Sequence, residues 1–393
     1  MQPPAHSVFL GLAFSVSLGL SGCGSTDAPP VSERSVGSVR LIAQQILPRR
    51  MEFQGTVVGG LSGIDYDSAN QRYVLMSDDR TTTDSANAPR FYTASLTFNE
   101  TSFSGLQFLS TVTMKQPDGS AHPKVPDVKV ADPESVRIDP VNGNLVWTSE
   151  GDRTINATVS RIIDPFIREM RTDGTYVRDY ALPAMFRMAA TETGPRGNLA
   201  FEGFSFTPEK NRAVVISEGP LFSDGPTPTT GAGAVSRITM FDRSTGAAVA
   251  QYAYPVDKVQ VVPVPATAFA VSGATEILAV TNTRFLVLER SFSVGVAGNQ
   301  VRLYEIDLDK ATNVLNSAAL VAGAYTPVSK RLVLDFETLK AQLGGIANLE
   351  GMSFGPKLAN GRDSLVVVAD DNFPTADSTT DRNQILVFEV LPQ

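Results

Sequence analysis

One cysteine, two histidines and one tryptophan stand in a chain of 393 residues. With Cys23 alone, no disulfide forms within one chain, so stability comes from packing. Zinc sites built from histidine and cysteine are excluded on the same count. A Ser/His/Asp hydrolase beyond the N-terminal segment would rest on His122, which sits in the Pro- and Gly-rich "QPDGSAHPKVPDV" and reads as a solvated loop residue. Ser62 is flanked as Gly60-Leu61-Ser62-Gly63-Ile64, with no G-x-S-x-G frame. No Walker A or dinucleotide-type glycine pattern occurs. There is no long basic run, and the formal net charge is −8. Nucleic acid is therefore excluded as a partner, since phosphate binding needs clustered Lys and Arg. A metal or another cation is easier to accommodate.

What is present begins with a targeting segment. Val8–Leu20 is apolar and too short for a comfortable membrane span. It runs into Leu20-Ser21-Gly22-Cys23, which resembles a bacterial lipobox. The reading is a signal peptide over residues 1–22, a lipidated Cys23 opening a flexible tether over 23–37, and a folded domain over 38–393. Met1–Val8 carries no Lys or Arg, a departure from the usual positive start. Gly24 after the cysteine fits outer-membrane sorting. The expected location is the cell envelope, anchored through Cys23 to the bilayer and facing the periplasm or the cell surface.

The folded part repeats itself. Related segments begin "GGLSGIDYD" at Gly59, "ADPESVRIDP" at Ala131, "LAFEGFSFTP" at Leu199, "GATEILAVT" at Gly273 and "NLEGMSFGP" at Asn348. An anchor position falls at Ser62, Glu134, Glu202, Glu276 and Glu350, in steps of 72, 68, 74 and 74 residues. A second acidic position follows at Asp78, Glu150, Glu218, Glu289 and Asp370. Each copy alternates apolar residues, turns at Pro, Asn, Gly or Asp, and resumes with a run such as Ala213–Ile216, the signature of a β-hairpin. Two further strand-like runs separate the copies, as in Phe166–Leu182 and Val235–Val256. Four strands per unit repeated radially predict an all-β fold, a β-propeller of about five four-stranded blades. A sixth blade would have to lie in a connector such as Thr113–Val130. The unpaired run Ser38–Leu47 is expected to pair with the last unit and close the ring.

In a hairpin, the start of the first strand lies beside the end of the second. If the first strands are innermost, the ring gathers both acidic positions around one mouth of the channel. The small residues after the anchor (Gly63, Ser135, Gly203, Gly351) suit crowding near the axis. Two like charges about 4 Å apart repel by roughly 4 kcal/mol at an effective dielectric near 20, so protonation, an arginine or a cation must relieve the set. Arg80, Arg153 and Arg290 each follow a second acidic position closely and could grip an anionic substrate. Oxygen-only ligands suit Ca²⁺ or Mg²⁺. The expected assignment is Glu134, Glu202 and Glu350 as catalytic carboxylates, with Asp78, Glu150, Glu218, Glu276, Asp370 and Asp371 as metal ligands. Asp79, Asp152 and Asn372 are extra oxygen donors. The competing reading is structural: each carboxylate accepts backbone N–H bonds or pairs with an arginine of the neighbouring blade.

The ordered motifs "GLSGIDYD", "DPESVRIDP…LVWTSEGD", "NLAFEGFSFTP…ISEGP", "FLVLERSFS" and "NLEGMSFGP…VVVADDN" resemble a bacterial family known as esterase-like activity of phytase, the phytase-like domain. The resemblance spans Gly59 to the C-terminus. It implies a propeller and hydrolysis of a phosphate or related ester, with a small anionic ester as partner. A non-catalytic propeller binding a ligand or protein is the alternative. Ser62 breaks strict symmetry at the mouth in either case.

Overall fold

The structure is a computed structural model and describes residues 1, 2, 4, 34–80 and 87–393. Cys23, the signal segment and most of the tether lie outside the described residues. Twenty strands form five four-stranded antiparallel sheets. Blade 1 comprises Leu61–Asp67, Arg72–Ser77, Arg90–Phe98 and Phe103–Thr113. Blade 2 comprises Pro133–Ile138, Leu145–Ser149, Phe166–Met170 and Tyr176–Asp179. Blade 3 is built from Phe201–Phe206, Arg212–Ser217, Ala234–Asp242 and Ala248–Val256, and blade 4 from Ala270–Ala279, Arg284–Ser293, Gln300–Asp307 and Ser329–Asp335. Blade 5 takes Asn348–Phe354, Ser364–Asp370 and Gln384–Leu391 from the C-terminal end. Its outermost strand is Ser38–Ile46, paired antiparallel with Gln384–Leu391. The N-terminal run thus closes the ring and covers an open edge. The 113–130 connector holds only a bridge between Lys115 and Ala121, so no sixth blade arises there.

Why the strands are apolar on both faces follows from how the blades stack. Successive side chains of a strand point to opposite faces, and each face meets a different blade. In Ser364–Asp370, Leu365, Val367 and Ala369 pack with Leu286 and Leu303 of blade 4. Val366 and Val368 of the same strand pack with Ile64, Leu75 and Tyr92 of blade 1. The other interfaces repeat the pattern: Val74 and Met76 against Val136 and Trp147, Val146 and Ile167 against Phe204 and Phe241, and Val214 and Ile216 against Phe285 and Val287. Five apolar seams therefore close one circle. Trp147 is core, as expected. His122 is not solvated: it is buried edge-on against Trp147, with ring centroids 5.9 Å apart. Burial holds its pKa down at about 4, so it is neutral near pH 7.

The innermost strands approach so closely that side chains run out of room. A Cβ on Gly351 would lie 2.5 Å from the Ser62 carbonyl oxygen, and one on Gly203 2.3 Å from the Ile277 nitrogen. The glycine after the anchor is thus required by the neighbouring backbone.

Candidate functional site: an acidic mouth

One bulge recurs in every blade. The first hairpin slips register at the anchor, between Leu61 and Gly63, Pro133 and Val136, Phe201 and Phe204, Ala274 and Glu276, and Leu349 and Gly351. Bulges of this kind re-aim side chains at the rim of a barrel or ring. The residue before the anchor pairs with the residue before the second position: Leu61 with Ser77, Pro133 with Ser149, Phe201 with Ser217 and Leu349 with Ala369. Blade 4 pairs Ala274 with Glu289. By that register its anchor is Thr275 and its second position is Arg290.

This corrects the fourth unit. Glu276 stands one residue past the anchor, where the other blades have Gly or Ser. It is fully buried beneath the mouth, with its carboxylate 2.7 Å from Arg137. Arg137, from blade 2, donates to the carbonyls of Ile64 in blade 1 (2.6 Å) and Met352 in blade 5 (3.1 Å) as well as to Glu276 in blade 4. A side chain that reaches three other blades crosses the axis and floors the channel. Burial raises Glu276 to about 7 against the pull of Arg137. Glu289 points elsewhere too, pairing with Lys330 and accepting from Tyr254 Oη at 2.6 Å.

Above that floor is a cavity of about 560 Å³. Of the expected residues, Glu134, Glu202, Glu350, Asp78, Glu150, Asp370, Arg80 and Arg290 line it. Glu218 lies just behind, 3.1 Å from Arg290. Arg153 does not reach it: its guanidinium donates to the carbonyls of Ala189 and Ala190 and covers the Phe222 ring. Asp371 is turned away as well, bonded to the backbone N–H groups of Gly60 (2.9 Å) and Phe373 (3.2 Å) and to Asn383 Nδ2 (2.9 Å). It straps blade 5 to the segment entering blade 1. Asp152 is spent on Arg161, and Asp79, at the cavity, is held by buried Arg90 at 2.7 Å.

The cavity also contains residues that the repeat did not single out. Asp132 pairs with Arg80, which also donates to Asn198 Oδ1 at 3.3 Å. Asn348 donates to Glu350 (2.7 Å) and Asp370 (3.1 Å). The signal was present two residues before the anchor, in "ADPE" and "NLE", but a polar residue there gives no direction without the bulge. Phe292 and Phe373 add two rings to the wall. Asn372 and Phe373 both have positive φ (53° and 46°), which Asn tolerates and a bulky residue such as Phe rarely adopts. Backbone strain of this sort clusters at ligand sites.

Electrostatically the mouth is overloaded. Burial lifts Asp78, Glu134, Glu150, Glu202 and Asp370 well above ordinary carboxylate values, and their mutual repulsion adds to it. Asp132 is raised to about 6, with Arg80 opposing. Glu218 is raised to about 7, again by burial, with Arg290 opposing and Glu350 adding. Glu350 itself is raised less, because Arg290, Asn348 and the Ser62 hydroxyl all favour its ionised form. Three groups place carboxylate oxygens within 4.8 Å of one another: Asp78/Glu350/Asp370, Asp132/Glu134/Glu150 and Glu150/Glu202/Glu218. These buried clusters could hold a metal ion.

Fold and site together define a five-bladed propeller with a floored, acidic mouth. The chain belongs to the phytase-like family, described as "Esterase-like activity of phytase", whose pattern matches residues 56–373. No curated protein matches the sequence. Among solved structures, the chain is similar to an endo-arabinase from Bacteroides thetaiotaomicron, with 10% identity, 86% of this chain and 95% of that one covered, and a TM-score of 0.42. It is also similar to an exo-β-1,3-galactanase from Clostridium thermocellum (10% identity, 87% and 62% covered, TM-score 0.47) and to the Dos1 propeller (7% identity, 86% and 71% covered, TM-score 0.31). Likeness at such identity says nothing of chemistry.

Proposed function

We propose that the protein is an envelope hydrolase of a phosphate or related ester, anchored through Cys23 and assisted by divalent cations at the acidic mouth. The anchoring part of the reading rests on the run Leu20-Ser21-Gly22-Cys23 behind an apolar segment; no described helix is long and apolar enough to cross a membrane. One observation carries the reading. The mouth gathers far more carboxylates than cationic side chains, and some of its buried oxygens, Asp132 Oδ2, Glu218 Oε2 and Asn348 Oδ1, have no hydrogen-bond partner. Buried polar atoms are seldom left without a partner, whether a water, an ion or a ligand. The donors are all oxygen, which fits Ca²⁺ or Mg²⁺. A cation there would polarise a phosphoryl or acyl oxygen and acidify a bound water.

The chain's own residues would do the rest. Arg80 and Arg290 border the cavity and orient the anionic ester by charge-assisted hydrogen bonds. Glu134, Glu202 and Glu350 face the same space and supply the general base that takes the proton from the attacking water. The floor at Arg137 and Glu276 keeps the channel blind, so substrate enters and product leaves by one opening. The double variant Glu202→Gln/Glu350→Gln should abolish chelator-sensitive hydrolysis in a screen of phosphomonoesters, phosphodiesters and carboxyl esters. Unchanged turnover by the folded double variant rejects the assignment. A second reading, a non-catalytic binding propeller, draws on the fact that both mouth arginines already pair with rim carboxylates. It predicts no hydrolysis by the metal-loaded wild type anywhere in that screen.

A further inference from the structure

We propose that the mouth holds a pair of divalent cations bridged by Glu150. The inference rests on the cation reading just given and specifies its stoichiometry and its shared ligand. Glu150 is common to two of the three oxygen clusters. On one side it meets Asp132 and Glu134 of its own blade; on the other, Glu202 and Glu218 of blade 3. Its Oε1 accepts the Ala200 N–H at 2.8 Å, which pins the carboxylate at the seam between the two blades.

Each of the two clusters ends in an orphan. Asp132 is 4% exposed and its Oδ2 has no partner; Glu218 is 1% exposed and its Oε2 has none. A buried charged oxygen without a protein partner is costly unless a water or an ion meets it, and there is one such oxygen in each of the two clusters, room for one ion in each. Charge gives the same number. Five carboxylates are answered by Arg80 on Asp132 and Arg290 on Glu218, leaving an excess of three negative charges if all are ionised. One divalent cation leaves the group negative. Two outweigh the charge of these five carboxylates, while Asp78, Glu350 and Asp370 of the same cavity keep the whole mouth from turning strongly positive.

The third cluster is built differently. Its orphan is an amide oxygen, Asn348 Oδ1, and not a carboxylate oxygen; Asn348 Nδ2 donates to both Glu350 and Asp370, and Arg290, shared with Glu218, lies 3.8 Å from Glu350. The pair is therefore assigned to the Glu150 side of the mouth.

The test is calcium binding to the chelator-stripped protein, counted by native mass spectrometry and calorimetry, with magnesium in parallel. Wild type should take up two ions on this side. Glu150→Gln should lose both, with each affinity at least tenfold weaker. Glu218→Gln should keep one ion, and Asp132→Asn should keep the other. Melting in chelator checks Glu150→Gln, which removes a repelling charge and should not melt below the stripped wild type; Glu218→Gln and Asp132→Asn also strip Arg290 and Arg80 of a partner, so their folding is checked by an unchanged circular dichroism spectrum at the assay temperature. A single ion in wild type, or loss of only one ion in Glu150→Gln, overturns the bridged pair while leaving the cation site standing. No ion of either metal in wild type overturns the cation reading itself.

Discussion

Arg290 is where the rim changes sign. Blades 1, 2, 3 and 5 place Asp78, Glu150, Glu218 and Asp370 at the end of the second strand or just past it, and blade 4, whose second strand runs on to Ser293, places a guanidinium at the matching register position. It sits 3.1 Å from Glu218 and 3.8 Å from Glu350, joining the acids of two blades. Removing one partner of a buried pair typically costs about 3–5 kcal/mol, because the other charge stays behind. Arg290→Gln should therefore lose stability of that order in chelator, read from urea unfolding, and calcium should restore part of it. Arg290 was legible as a cation near the acids, but not as a member of the ring. Glu276 and Glu289 were the nearest acids, and chemical likeness aligned them with the repeat. The bulge at Thr275 moves both by one residue, and a one-residue slip sends a side chain to the other face.

At the scale of elements, the hairpins were readable because each carries its own turn and its own alternation. The long apolar runs were readable too, since a strand buried on both sides has no polar face. The strand Ser38–Ile46 was legible as an unpaired edge seeking a partner. What escaped was direction: Arg153 and Asp371 follow second acidic positions in the chain, yet turn to carbonyls and to backbone N–H groups outside the cavity. Those choices depend on loop geometry that repeats poorly between blades. The close approach of innermost strands makes a sharper prediction. Gly351→Ala pushes a methyl against the Ser62 carbonyl, a backbone atom that cannot swing aside. A loss of about 1–3 kcal/mol is expected from overpacking, seen as a lower denaturation midpoint with unchanged slope.

For the whole molecule, the acidic mouth sets how stability follows pH. Asp132 at about 6 and Glu218 at about 7 lie above their unfolded values of about 4. The folded, metal-free protein thus binds more protons than the unfolded chain across that window. Stability then falls as pH rises from about 4 through 7, the reverse of the usual salt-bridged carboxylate. In chelator the melting temperature should drop between pH 5 and pH 8. With saturating calcium the drop should vanish, since ions take the place of the protons. A melting curve in chelator that climbs over the same range contradicts this account.

The ring is fastened by strands from opposite ends of the chain, Ser38–Ile46 and Gln384–Leu391. During synthesis the early strand must wait, unpaired, while more than 300 residues are made. Blades 1 to 4 are complete in themselves and can form in order; blade 5 cannot. Both seams of blade 5 need the last-made strand, and the one with blade 1 lies beside the Asp78/Glu350/Asp370 cluster. A nascent or C-terminally truncated chain would carry a gap in its circle and an exposed strand edge, a template for aggregation that completion of the final strand removes.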